Sequence, residues 1–216
     1  MNKSSKLHFL FLFILSLNYL IPLIIFGKIT LFYADALESE IVYNNFIGEF
    51  AKGNFNSIDI LTGFITWEQV RRVFNPIFYL YAFNFEFSYW LIDIILKISA
   101  YISFFILAKK INKNYLLNAM LACLFASTTD QVQFGFGLAI SPYLIYLIIS
   151  KDQIKFKHYL IIVLFGLNSD LMTTVWLMPL ICFASYFINN KIIENKKINA
   201  IKILSTFNIF LFLTSA

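Results

Sequence analysis

The chain has 216 residues, 60% of them hydrophobic and only 13% charged, with a formal net charge of +5. A soluble domain carries about 25% charged residues, so this composition excludes an ordinary soluble globular protein and points to an integral membrane protein. Cys123 and Cys182 both fall in apolar stretches without metal-ligating neighbours, which argues against a disulfide framework or a metal site built on them.

The N-terminus, "MNKSSKLHFLFLFILSLNYLIPLIIFGK", starts basic and then runs apolar over 7–27. A cleaved signal peptide has an apolar region of about 7–15 residues and a small-residue cleavage site. Here the run has roughly the 20 residues that span a bilayer, and no A-x-A follows. It is read as an uncleaved first span. Residues 28–86 form a polar-to-aromatic loop, and a second span covers 87–108, ending at "AKKINKN". A third covers 115–127 and a fourth 135–149, with "SKDQIKFKH" after it. The stretch 159–189 is too long for one ordinary span and is interrupted by "NSD" at 168–170, which predicts a broken or re-entrant pair over 158–167 and 171–189. A last apolar segment, 201–216, is still running at Ala216, so the chain reads as the front part of a longer protein or a shortened product. The predicted fold class is all-α: a polytopic membrane protein with about seven membrane segments and a large outer first loop.

Charge placement orients this map. With the N-terminus cytoplasmic, twelve lysines and only two acids, Asp152 and Glu194, fall on the inner side. The outer side holds Lys28, Lys52, Arg71 and Arg72 with nine acids. Cations are retained on the cytoplasmic side, and the asymmetry holds only if the chain turns back at Asn168–Asp170. The expected location is a bacterial inner membrane.

In the outer loop, Asp35 is a good N-cap and Glu38 stands at N3, the carboxylate version of a capping box. From there to Gly53, Leu37, Ile41, Val42, Phe46 and Phe50 share one face, while Glu38, Asn45, Glu49 and Lys52 share the other. That pattern predicts an amphipathic helix lying on the outer membrane surface. "WEQVRRVF" predicts a second short surface helix closed by Asn75–Pro76, and Pro76 is placed to open a third helix into the second span. The aromatic cluster from Phe74 to Trp90 suits the headgroup level.

A span, a long outer loop with an acidic start and surface helices, and a second span resemble the entry region of the GT-C class of multi-span glycosyltransferases. The resemblance is to their little-characterised bacterial relatives, over roughly 7–150. It is carried by "ADALESEIVYNNFIGEFAKGN", "RRVFNPIFYLY" and, more loosely, "GFGLAISPYLIYLII". It implies transfer of a sugar from a polyprenyl-phosphate donor on the outer face, with an acid of the first outer loop as general base or as ligand of a divalent metal such as Mg²⁺ or Mn²⁺. Asp35 matches that position; Glu38 and Glu40 depart from the commoner Asp-Asp or Asp-x-Asp arrangement.

The residues themselves admit this chemistry and plainer roles beside it. A carboxylate can deprotonate an acceptor hydroxyl, but Asp35 and Glu38 also satisfy a helix start, and Glu40 also reads as a solvated charge. Arg71 and Arg72, the only arginines, fit a lipid phosphate in bidentate fashion or snorkel to headgroups. Asp130 lies in a short outer loop that can bring a second carboxylate to the first. Asp93 and Lys97, four apart inside the second span, read as an intramembrane ion pair or as a functional pair. No nucleotide loop, zinc spacing or nucleophile elbow appears, and no nucleic-acid partner is expected. The competing functions are a transporter or flippase of amphiphilic lipid, centred on Asp93, Lys97 and the broken helix, and a non-catalytic membrane protein.

Overall fold

The structure is a computed structural model that describes residues 3–26, 48–53, 75–83, 85–128, 131–150 and 154–169, with 202, 203, 205–207 and 209. The described residues are all helical or connecting: α1 (Lys3–Phe26), a 3₁₀ helix (Pro76–Ala82), α2 (Phe85–Ile111), α3 (Tyr115–Thr128), α4 (Gln131–Ile149) and α5 (Phe156–Leu167). Helices α2 to α5 run alternately down and up. α2 packs against both α3 and α4, α1 lies against α3, α5 against α4, and the 3₁₀ helix against the start of α2.

One stretch among the described residues, Leu91–Ile111 of α2, is long and apolar enough to cross a membrane. α2 ends with Lys109 and Lys110 in its last turn, where cations complement the carbonyl end of the helix. Three asparagine-rich residues then reverse the chain. Asn112 Oδ1 accepts from Asn114 N–H at 2.9 Å, and Asn114 Oδ1 accepts from Leu117 N–H at 3.2 Å as the N-cap of α3. Asn118 Nδ2 donates back to Asn112 O at 2.8 Å.

α3 is small inside and large outside. Its buried face is Asn118, Ala119, Ala122 and Ala126, whereas Leu116, Leu117, Met120, Leu121 and Leu124 are 41–66% exposed. The same outward apolar stripe recurs as Phe9, Leu10 and Phe13 on α1, Ile98 and Ile102 on α2, and Leu160 and Leu164 on α5. α4 is the central helix, buried almost all round from Phe136 to Ile149. Pro142 interrupts its ladder by removing the N–H that Leu138 O would accept. Ser141 Oγ donates to that carbonyl at 2.8 Å and restores its bond. Ser103 Oγ of α2 donates across to Ala139 O of α4, a close approach that Ala100 and Ala139 permit. Ile140, Leu144 and Ile162 join Ile203 and Phe207 of the C-terminal helical residues in a second core.

One departure from the sequence reading stands out. The segment opened by Pro76 is a 3₁₀ helix and does not run on into α2. Phe83 N–H closes on Leu80 O at 3.1 Å, and Ser88 Oγ donates to the same carbonyl. The helices also extend beyond the apolar runs: α1 starts at Lys3, and α4 starts at Gln131.

Candidate functional site

Of the sequence-derived candidates, Asp35, Glu38, Glu40, Arg71, Arg72 and Asp130 lie outside the described residues, as does Asp170. Asp93 and Lys97 lie one turn apart on α2. Asp93 is 7% exposed and Lys97 half-buried, and neither residue is without an interaction partner. No group of His, Cys, Asp or Glu among the described residues is arranged to hold a metal ion.

The C-terminal end of the predicted amphipathic surface helix is described. Residues 48–51 are helical, and Gly53 ends the turn with φ +79°, a left-handed conformation that glycine adopts without strain. Glu49 and Lys52, expected on the polar face, form a 2.8 Å ion pair. Gly48 is buried against the 3₁₀ helix, where an added Cβ would lie 2.9 Å from Tyr81 O. The helical residues 48–51 are therefore docked on the bundle at Tyr81, itself 3% exposed.

Asn168, which caps α5, organises the same end of the bundle. Its Oδ1 accepts the Ile77 N–H at 3.0 Å, its Nδ2 donates to Leu164 O at 2.7 Å, and its main-chain carbonyl accepts Phe136 N–H at 3.5 Å. One buried residue thus joins the 3₁₀ helix and α5 through its side chain and α4 through its main chain. Nearby in sequence, Asn75 is buried, with its Oδ1 accepting no hydrogen bond among the described residues.

Below Asn168 an apolar groove runs between α2, α4 and α5. Its upper part, about 380 Å³, is lined by Ile77, Leu80, Ile95, Phe136, Leu164 and Phe165, with Asn168 at the top. Its lower part, about 270 Å³, is lined by Ile102, Ile106, Ile140, Tyr143, Ile161 and Phe165. The two meet at Ser99 and Phe165. The serine hydroxyls in the wall are turned into backbone: Ser99 Oγ donates to Ile95 O at 2.7 Å, and Ser103 Oγ shares its one hydrogen between Ala100 O, at 2.9 Å, and Ala139 O. The groove therefore accommodates hydrocarbon far better than water, which needs two to four polar partners.

At the opposite end of the bundle, His8 of α1 ties three helices together. Its Nδ1 pairs with Tyr101 OH of α2 at 2.8 Å, and its Nε2 pairs with Tyr115 OH of α3. Phe105 packs edge-on against the imidazole at 4.7 Å between centroids. Lys6, Lys109, Lys110, Lys113, Lys155 and Lys157 are exposed at this end.

Neither the groove nor the His8 junction was expected from the sequence. The i,i+4 pair Ser99–Ser103 on α2 is the one local signal of the groove, marking a face where helices approach closely. The partners of His8 lie 93 and 107 residues away, beyond any local pattern. Comparison with protein-family models, with curated proteins and with solved structures finds no match to this chain.

Proposed function

We propose that the chain is a multi-span membrane protein, oriented with its lysine-rich end in the cytoplasm, that handles an amphiphilic lipid-linked substrate at its opposite, outer end. The observation that carries this reading is the apolar outer surface. Leucine, isoleucine and phenylalanine form exposed stripes on α1, α2, α3 and α5 around a core that is itself apolar, and α3 turns its alanines inward and its leucines outward. In water such stripes would each leave apolar surface exposed; in lipid they are the solvated face. Six exposed lysines also gather at one end, Lys6 of α1 and five that the alternation of α2 to α5 brings together, as retention on the cytoplasmic side requires.

The reaction is proposed from the resemblance: a GT-C-like glycosyl transfer from a polyprenyl-phosphate sugar. Asp35 would serve as base, Glu38, Glu40 and Asp130 as neighbouring acids, Arg71 and Arg72 as phosphate contacts, and Mg²⁺ or Mn²⁺ as a possible aid to the leaving group. The contact of Gly48 with Tyr81 supports it, because residues 48–53 of the outer loop then lie against the 3₁₀ helix that contributes Ile77 and Leu80 to the groove. Membranes carrying Asp35→Asn should contain normal amounts of protein and lose transfer of labelled sugar from a lipid-phosphate donor.

The buried Asp93, one turn from Lys97 on α2, supports a second reading, a transporter or flippase of amphiphilic lipid, since ionisable residues inside a membrane span are functional candidates by default. In that case Asp93→Asn abolishes lipid movement while Asp35→Asn leaves it intact.

A further inference from the structure

We infer that the groove beside α2 holds one acyl chain of an anionic phospholipid, whose phosphate sits at the lysine-bearing start of α5. The inference rests on the membrane reading above but concerns a structural lipid at the lysine-rich end, away from the proposed reaction.

Three observations converge on this occupant. The first is chemical: the lining is aliphatic and aromatic, and its serine hydroxyls are already bonded to backbone carbonyls. An apolar cavity of about 150 Å³ already stays dry and takes benzene, and each half of this groove is larger, at about 270 and 380 Å³. The second is dimensional. From Ile95 to Ile106 the groove follows α2 for about 16 Å at 1.5 Å per residue, close to the hydrocarbon depth of one leaflet, about half of 30 Å.

The third is charge complementarity at the lower mouth. Tyr143 and Ile161 line the groove there. The Tyr143 ring meets the His158 imidazole edge-on at 6.5 Å, and Lys155 and Lys157 are exposed on either side of Phe156. His158 Nδ1 accepts the Lys155 N–H at 3.2 Å, which leaves the imidazole proton on Nε2 as a donor. A phosphate placed there lies beside the exposed Lys155 and Lys157 and the His158 N–H, while its chain runs up past Ile106 to the waist at Ser99.

The test is native mass spectrometry of the full chain, extracted from membranes and re-equilibrated with mixed micelles containing either phosphatidylglycerol or phosphatidylcholine. The expected result is a single, activation-resistant adduct with phosphatidylglycerol and a weaker one with phosphatidylcholine. Ser99→Leu, which fills the waist, should remove the resistant adduct of both lipids. Lys155→Gln with Lys157→Gln, at exposed positions that folding does not depend on, should weaken phosphatidylglycerol retention about tenfold and leave phosphatidylcholine unchanged. Lys110→Gln with Lys113→Gln should change neither. Equal retention of the two lipids by the unaltered chain, or equal losses from the two lysine pairs, would overturn the proposal and leave only annular lipid. A chain released from membranes by alkaline carbonate would instead refute the membrane reading itself.

Discussion

The side-chain oxygen of Asn168 accepts the main-chain N–H of Ile77 at 3.0 Å, across 91 residues of sequence. The same amide donates to Leu164 O at 2.7 Å. Replacing Asn168 by Leu strands both backbone partners in a site that is only 5% exposed. The expected cost is about 1–3 kcal/mol, read as a lower unfolding midpoint in detergent. The Ile77 amide should also exchange faster with deuterium.

Gly48 and Gly53 are both intolerant of a side chain, for different reasons. At Gly48 a Cβ would lie 2.9 Å from Tyr81 O, a backbone atom, so Gly48→Ala should separate the loop helix from the 3₁₀ helix at a cost of about 1–3 kcal/mol. At Gly53 nothing lies within 4 Å, and φ is +79°. Gly53→Ala should therefore cost only the left-handed strain, about 1–2 kcal/mol. Limited proteolysis of the loop separates the two, since Gly48→Ala should expose it and Gly53→Ala should leave it docked.

Ser141 and Pro142 should be coupled. Ser141→Ala alone leaves Leu138 O without the bond that the serine supplies. With Pro142→Ala in place, the new N–H at 142 serves that carbonyl and the serine becomes dispensable. A double-mutant cycle on unfolding in detergent should give a coupling of about 0.6–2 kcal/mol. A cycle that closes at zero would mean Leu138 O finds another partner.

At the other end, Tyr101→Phe removes one of the two phenols held by His8 and should cost about 0.5–1.5 kcal/mol. His8→Leu strands both phenols at once and should cost more than Tyr101→Phe or Tyr115→Phe alone. Disulfide trapping between α1 and α3, with cysteines at Phe11 and the native Cys123, gives the readout: Cys123 Sγ already lies 3.8 Å from Phe11 O. Efficient trapping in His8→Leu would show that apolar packing alone holds α1.

Much of the helical framework was legible because its punctuation is local. "KKINKNY" carries the lysines that close α2 and the asparagines that turn the chain and cap α3. Asn168 marks the end of α5 for a similar reason, as a side chain that competes for backbone groups. The 3₁₀ helix was half legible. Pro76 fixes its start, but nothing in "FYLYAFNFEF" marks the break before Phe85, which is made by Ser88 reaching back to Leu80 O. The membrane segments expected over 7–27 and 135–149 describe apolar content, whereas the helices begin earlier, because Lys3–Lys6 and Gln131–Gln133 are polar yet helical. The groove was illegible because no single helix contains it: its walls come from the 3₁₀ helix, α2, α4 and α5. The residues proposed for transfer chemistry, led by Asp35, fall outside the described part of the chain.

The most direct test of the account is the side of the membrane on which its exposed lysines lie. Lys52 and Lys113 are both exposed, the first in the loop docked on Tyr81 and the second between α2 and α3. With Cys123 and Cys182 changed to alanine, Lys52→Cys and Lys113→Cys are labelled in intact cells with a membrane-impermeant maleimide, before and after permeabilisation. The account predicts that position 52 reacts in intact cells and position 113 only after permeabilisation. Labelling of both positions in intact cells, or of neither, would contradict a chain that crosses the membrane between them.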